Sequence, residues 1–234
     1  MFISTYYSEN DGRVSFTREQ GSNFAKGIAD DFNPLHDADA KRFCIPGDLL
    51  FTLLLSKYGL SQRMELTFSG MVPDGVELIL AEPADEIRLL DAQDKEYLQL
   101  QRGGDNVRDE AVIESLCRAY VAFSGHTFPD LLVPLLAERN VMINPNRPMV
   151  MYQSMGIDMT RLDFTDVTLQ LDHNELEIDG KRGAIQMVFN FLEGDDIVGR
   201  GRKSMLVSGL REYNAVDIED TVNRYNASKE SFGA

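Results

Sequence analysis

Two cysteines, three histidines, a shortage of basic residues and no apolar run of membrane length are the scarcities of this 234-residue chain. Each closes off a class of function. Cys44 and Cys117 are too few for a disulfide scaffold and lack metal-ligand spacing, so they read as buried free thiols. His36, His126 and His173 stand far apart, which leaves no metal cluster to assemble from sequence. No stretch is long enough to span a bilayer. Met1-Phe2-Ile3-Ser4-Thr5-Tyr6-Tyr7 has neither the basic start nor the sustained apolar core of a signal peptide, so a cytoplasmic protein is expected. Against 38 acidic residues there are 23 basic ones, a formal charge of −15. Counterion release needs a basic face, so neither nucleic acid nor an anionic membrane surface is an expected partner. A glycine-rich phosphate loop and a Ser-His-Asp order are also missing.

What is present is the composition of a soluble globular protein, 43% hydrophobic and 26% charged, organised around one stretch. A helical run with Phe24, Ala25 and Ile28 on its apolar face meets Asp30-Asp31-Phe32-Asn33-Pro34. It must stop there, because the residue before proline is pushed out of the α region and Asp and Asn favour turns. The loop so formed carries Asp31, Asn33 and His36. Gly47 then precedes a run of Leu49, Leu50, Phe51, Leu53, Leu54, Leu55 and Tyr58, a helix without a polar face that must be buried on nearly all sides. A carboxylate and an imidazole five residues apart, beside a buried helix N terminus, form an acid/base pair facing an anion site. The plainer alternative is that Asp31 and Asn33 only cap and turn the chain while His36 packs beneath it.

The segment Phe24-Ala25, Asp31, Asn33-Pro34, His36, Ile45, Gly47 resembles the MaoC-like, or (R)-specific enoyl-CoA hydratase, branch of the hotdog superfamily. That family's motif reads roughly FA-x-x-SGD-x-NP-x-H before a Gly-led helix. The resemblance covers about residues 16 to 60. It implies that Asp31 and His36 together bind one water, which Asp31 deprotonates for attack on the β-carbon of a trans-2-enoyl thioester. Asn33 would orient the loop or the water, and the Gly47 N–H, with the helix N terminus, would hold the thioester oxygen. The substrate would be an acyl thioester, of coenzyme A or an acyl carrier, or the ligand another small hydrophobic molecule. No metal or redox cofactor is called for.

Three departures qualify the match. Ser-Gly before the aspartate is Ala29-Asp30 here, which places a second carboxylate beside Asp31. The link from His36 to Gly47 is short. Asp48 follows Gly47; it either caps the helix dipole at the surface or points into the pocket and competes for the amides that would hold the substrate. Coenzyme A would need a local basic patch, for which Lys41, Arg42, Lys57 and Arg63 are the nearby candidates.

Along the chain, 1 to 7 and 13 to 16 read as strands around an Asp11-Gly12 hairpin turn, and Thr17 with Gln20 as a capping box. A helical turn is expected within 38 to 42 and the buried helix at 48 to 59. Strands follow at 63 to 72, 76 to 82, 85 to 91 and 95 to 102. Helices at 109 to 123 and 129 to 139 lead to the turn Asn144-Pro145-Asn146-Arg147-Pro148, and 149 to 159 reads as a second apolar helix. Strands at 161 to 171, 174 to 179, 183 to 192 and 196 to 209 come next, with turns at Asp172-His173-Asn174, Asp179-Gly180 and Gly194-Asp195, then a tail helix from 217. The repeated order, helix then strands, predicts an α+β double hotdog: two antiparallel sheets, each wrapping a central helix. The units would be 1–108 with the motif, a helical linker over 109–148, and a degenerate hotdog over 149–234. The molecule would be a monomeric pseudo-dimer or a homodimer. Met142-Ile143-Asn144-Pro145 keeps an Asn-Pro but no following His, so one active site is expected. The competing reading is a non-catalytic hotdog protein that binds an acyl or other small ligand or serves as an interaction scaffold. An open cavity beside His36 favours the first; a pocket filled by Phe32, Phe43 or Phe51 favours the scaffold.

Overall fold

The computed structural model describes residues 2–145 and 149–232. Met1, residues 233 and 234, and Asn146, Arg147 and Pro148 of the Pro-rich turn lie outside the described residues. The hairpin forms as the Asp-Gly pair dictates: Asp11 and Gly12 both take positive φ, 48° and 72°, between β1 (Ser8–Asn10) and β2 (Arg13–Ser15). Its first strand is not 1 to 7. Those residues curl in turns, with Tyr6 N donating to Ile3 O at 2.9 Å, which sends Ile3 into the core and stacks Tyr6 edge-on to Phe24 at 5.5 Å.

Thr17 opens α1 (Arg18–Gly27) with the full capping box. A single 3₁₀ turn, Pro34–His36, takes the place of the helical turn expected at 38 to 42, where there are only turns. Helix α2 (Gly47–Tyr58) is apolar all round. Leu49, Phe51, Leu53, Leu54 and Leu55 are fully enclosed, each such side chain contributing about 1.5–3 kcal/mol on burial. Then come β3 (Leu60–Phe68), β4 (Leu78–Ile79), β5 (Glu86–Leu90) and β6 (Glu96–Val107). Helix α3 (Glu110–Gly125), capped by the Asp109 carboxylate, runs through a π-helical turn, Phe128–Leu132, into α4 (Val133–Ala137) and β7 (Val141–Met142).

Residues 149 to 159 are not a helix. They form β8 (Val150–Met159), in which Met155, Ile157 and Met159 turn to one buried face at strand spacing. The following segments are also longer than their turn signals suggest. Asp172 is the extra residue of a β-bulge inside one continuous β9 (Thr168–Asp179), where Val188 pairs with His173 and Phe189 with Leu171. After β10 (Arg182–Glu193), β11 (Asp196–Ser208) and β12 (Arg211–Glu212), the chain ends in α5 (Ala215–Phe232).

The architecture is α+β. Antiparallel pairing of β3 with β8, Leu66 opposite Met155 among others, joins the N-terminal and C-terminal strands edge to edge into a single ten-stranded sheet. Its order is β1-β2-β4-β5-β6-β3-β8-β11-β10-β9, with β12 and β7 forming a separate small ladder. The helix that packs on the C-terminal strands is α3, which precedes them. Tyr120 meets Phe51 of α2 at 4.6 Å, and Tyr120 and Phe123 reach Phe189 of β10 at 5.8 and 5.1 Å. A second, smaller core gathers Leu132, Leu136, Ile143, Ile185 and Met205. Among the described residues no helix is long and apolar enough to cross a membrane.

Candidate functional site

Local hydrogen bonds set the motif loop. Asp31 N donates to Ala25 O at 2.8 Å, which draws the loop back onto the end of α1. Asp30 makes this possible by taking φ 55°, a left-handed conformation that Asp tolerates better than most residues. One Asp31 oxygen accepts from Asn33 N at 2.9 Å, and Asn33 Oδ1 accepts from Leu35 N at 3.1 Å, capping the 3₁₀ turn. The Asn33 carbonyl is thus committed to shaping the loop. The turn places His36 inward, where Nδ1 donates to the Cys44 carbonyl at 2.9 Å. A carbonyl only accepts, so Nδ1 carries a proton and Nε2 is the atom facing Asp31 Oδ2, 3.7 Å away. That gap is too long for a direct hydrogen bond and suits one bridging water.

Burial raises the Asp31 carboxyl above its ordinary value; the His36 charge and the Asn33 amide oppose this without cancelling it. For His36, burial acts downward, but the Cys44 side chain and the Asp31 charge outweigh it and lift the imidazole to about 9. The pair therefore combines a carboxylate more basic than usual with an imidazole that holds its proton. Asp30 does not crowd it. Its carboxylate turns away to Lys229 of α5 and lies 3.5 Å from His126 Nε2.

Asp31, Asn33, His36 and Gly47 all line one cavity of about 770 Å³ with largely apolar walls. Phe32 lines it without filling it, held edge-on by Tyr225 and Phe232 of α5, while Phe43 lies under Arg18 and Phe51 is in the core. Helix α5 forms part of the wall. The Tyr225 hydroxyl accepts from Phe32 N and is within 3.2 Å of the Asp30 and Gly125 carbonyls. Gly125 belongs at this crossing because a Cβ there would fall 1.6 Å from Ala29 O. None of Lys41, Arg42, Lys57 and Arg63 lines the cavity. Arg224 does line it, and among the described residues its guanidinium bonds within α5, to Asp220 O and Thr221 Oγ1, both at 3.3 Å.

Among the described residues no side chain caps α2; Leu49 N and Leu50 N donate back to Pro46 O at 3.1 and 3.3 Å, and Gly47, at the start of the helix, lines the cavity. Asp48 is not a surface cap: it is 2% exposed and accepts from the Tyr152 hydroxyl at 3.2 Å. Tyr152 lies 2.6 Å from Ser124 Oγ, which in turn accepts from the buried Lys203. The Lys203 amine sits 3.8 Å from the Tyr152 ring centroid. Burial pulls Lys203 below the usual lysine range against the attraction of Asp48 and Asp31. The same Tyr152 ring covers Gly47 so closely that a Cβ there would meet its Cδ2 at 2.7 Å. Ser124, Tyr152 and Lys203 are not among the site residues that the sequence singles out. The one signal for them is a lysine in the inward phase of an alternating strand, between Gly201 and Met205 of β11.

Cys44 and Cys117 are both buried free thiols, the latter pushed by burial to about 12. Among the described residues no group of three His, Cys, Asp or Glu side chains is placed to hold a metal.

A family model described as "Protein of unknown function (DUF3581)" matches residues 1–216. No curated protein matches. Among solved structures, an acyl-CoA thioesterase II, TesB2, of Mycobacterium marinum shares 11% identity over 91% of this chain and 99% of its own, at a TM-score of 0.45. A MaoC-like dehydratase shares 12% identity over 85% of this chain and 96% of its own, at 0.45. The peroxisomal multifunctional enzyme type 2 of Drosophila melanogaster shares 13% identity over 82% of this chain and 47% of its own, also at 0.45.

Proposed function

The chain belongs to the DUF3581 family, and we propose that it is a MaoC-like hydratase/dehydratase of acyl thioesters built as a double hotdog. The carrying observation is that Asp31 and His36 face each other across 3.7 Å at the wall of a cavity of about 770 Å³. Water bridging the two would lose a proton to Asp31, whose raised basicity suits a general base, and attack the β-carbon of a trans-2-enoyl thioester. The negative charge that develops on the thioester oxygen would be met by the Gly47 amide at the positive end of α2. In the reverse direction the (R)-3-hydroxyacyl thioester loses water. Asn33 fixes the loop that presents both groups, and the cavity's apolar walls take the acyl chain. Asp48 turns one oxygen to the Tyr152 hydroxyl and not to the Gly47 amide. Hydration of crotonyl-CoA, followed by loss of enoyl absorbance, should fall by about a hundred- to ten-thousand-fold in Asp31→Asn and in His36→Ala. Turnover that survives both substitutions overturns the reaction.

The Tyr152 ring packed over Gly47 favours a second reading, a non-catalytic protein that holds an acyl or other small hydrophobic ligand. Saturable binding of a non-hydrolysable acyl analogue, with no turnover of any enoyl thioester, would select it.

A further inference from the structure

The hydratase reading leaves unused a buried polar cluster beside the cavity. Lys203, 1% exposed, donates to Ser124 Oγ; Ser124 lies 2.6 Å from the Tyr152 hydroxyl; Tyr152 donates to Asp48 Oδ2 at 3.2 Å. The donors and acceptors fix its direction. Tyr152 gives its proton to Asp48, so its oxygen accepts from Ser124, and Ser124 Oγ accepts from Lys203. The serine hydroxyl thus has an amine on one side and a tyrosine on the other that leads to a carboxylate. No carboxylate lies within ion-pair distance of Lys203 among the described residues, so no salt bridge explains its burial. A lysine and an aspartate enclosed together, each bonded to a hydroxyl rather than to the other, are an expensive way to fill space that apolar side chains fill better.

Two further observations point to chemistry. Asp48 Oδ1 is buried with no hydrogen-bond partner, which leaves it an acceptor with an unmet demand for a proton. Ser124 and Tyr152 also line the same apolar cavity as the N terminus of α2.

We propose that Ser124 is a nucleophile that takes an acyl group from a thioester or ester bound in the cavity. The Ser124 proton passes to Tyr152 as the Tyr152 proton passes to Asp48, and Lys203 holds the forming alkoxide. The Oγ–carbon bond forms, the carbon–sulfur or carbon–oxygen bond of the substrate breaks, and the proton held by Asp48 returns through Tyr152 to the leaving thiolate or alkoxide. Water then attacks the acyl-serine, giving up a proton along the same route, and releases a carboxylic acid and the free serine.

The test is covalent trapping of the full chain with a decyl fluorophosphonate, which phosphonylates an activated serine with loss of fluoride. The intact mass should rise by one adduct per chain, and peptide mapping should place it on Ser124. Ser124→Ala should abolish it. Tyr152→Phe keeps the ring over Gly47 and removes only the hydroxyl, so it should slow inactivation about a hundred-fold or more with little change in the probe concentration giving half the maximal rate; a packing role would shift both. If Ser124→Ala does not fold, the mapped position in the unaltered chain decides alone. No adduct under conditions that label a control serine hydrolase, or an adduct on another residue, overturns the proposal. Trapping and crotonyl-CoA hydration are read separately: Ser124 labelling without hydration leaves this inference standing, and hydration without labelling removes it.

Discussion

At the scale of single residues, the Asp31–His36 pair ties function to stability. His36 stands at about 9 in the folded chain against an ordinary 6.5, so its proton is bound more tightly folded than unfolded. The stabilisation it gives is fully present below pH 6.5 and is lost as pH rises through 9. His36→Gln should therefore be destabilised most at or below pH 6.5, with the gap in melting temperature to the unaltered chain narrowing steadily by pH 9.5. A gap that stays constant over that range means a neutral imidazole throughout, and the charged pair would not exist. These residues were legible because their bonds are local: Asp31, Asn33 and His36 form one loop whose turns follow from Asn-Pro and Asx geometry. Lys203 was not legible. Its partner Ser124 is 79 residues away, and Tyr152 reaches Asp48 across 104, distances at which spacing carries no information. Asp48 was legible as an anomaly, but the direction of its side chain depends on a strand from the other half of the chain.

Among the elements, those with strong punctuation were found and those with ambiguous periodicity were not. The capping box, the Asp-Gly hairpin and the all-apolar α2 each state their conformation in a few residues. The segment 149 to 159 does not, because Met151, Tyr152, Met155 and Gly156 satisfy a helical spacing while Met155, Ile157 and Met159 satisfy a strand. Pairing with β3 and β11 decided for the strand. One contact between elements matters more for the site than any of these, the crossing of α3 over the end of α1 at Gly125. Gly125→Ala puts a methyl 1.6 Å from a backbone oxygen, so the Asp31 loop or α3 must move. A loss of roughly 1–3 kcal/mol in denaturant unfolding is expected, together with loss of turnover. Gly103→Ala is the control, since its Cβ would meet only the Arg63 side chain, at 3.6 Å. Equal behaviour of the two variants would show that the crossing does not set the loop.

For the whole molecule, the dominant fact is a charge of −15 around a cavity whose proposed substrate class includes polyanions. Coenzyme A carries its phosphates on the part of the molecule farthest from the reacting carbon, so they would approach through the protein's field before the acyl chain is seated. Repulsion of this kind acts over roughly a Debye length, about 10 Å at 0.1 M salt and 30 Å at 0.01 M. Salt should therefore help. Raising the ionic strength from 0.01 to 0.2 M should increase kcat/KM for crotonyl-CoA and leave a crotonyl-pantetheine thioester, which lacks the charged nucleotide, nearly unchanged. Arg224 opposes this expectation, because it lines the cavity with no carboxylate bonded to it among the described residues. If it captures a phosphate directly, kcat/KM for crotonyl-CoA will fall with salt instead, and Arg224→Gln will remove that dependence. Identical salt responses for the two thioesters would show that the nucleotide never enters the field, which would leave a substrate without it as the one the cavity selects.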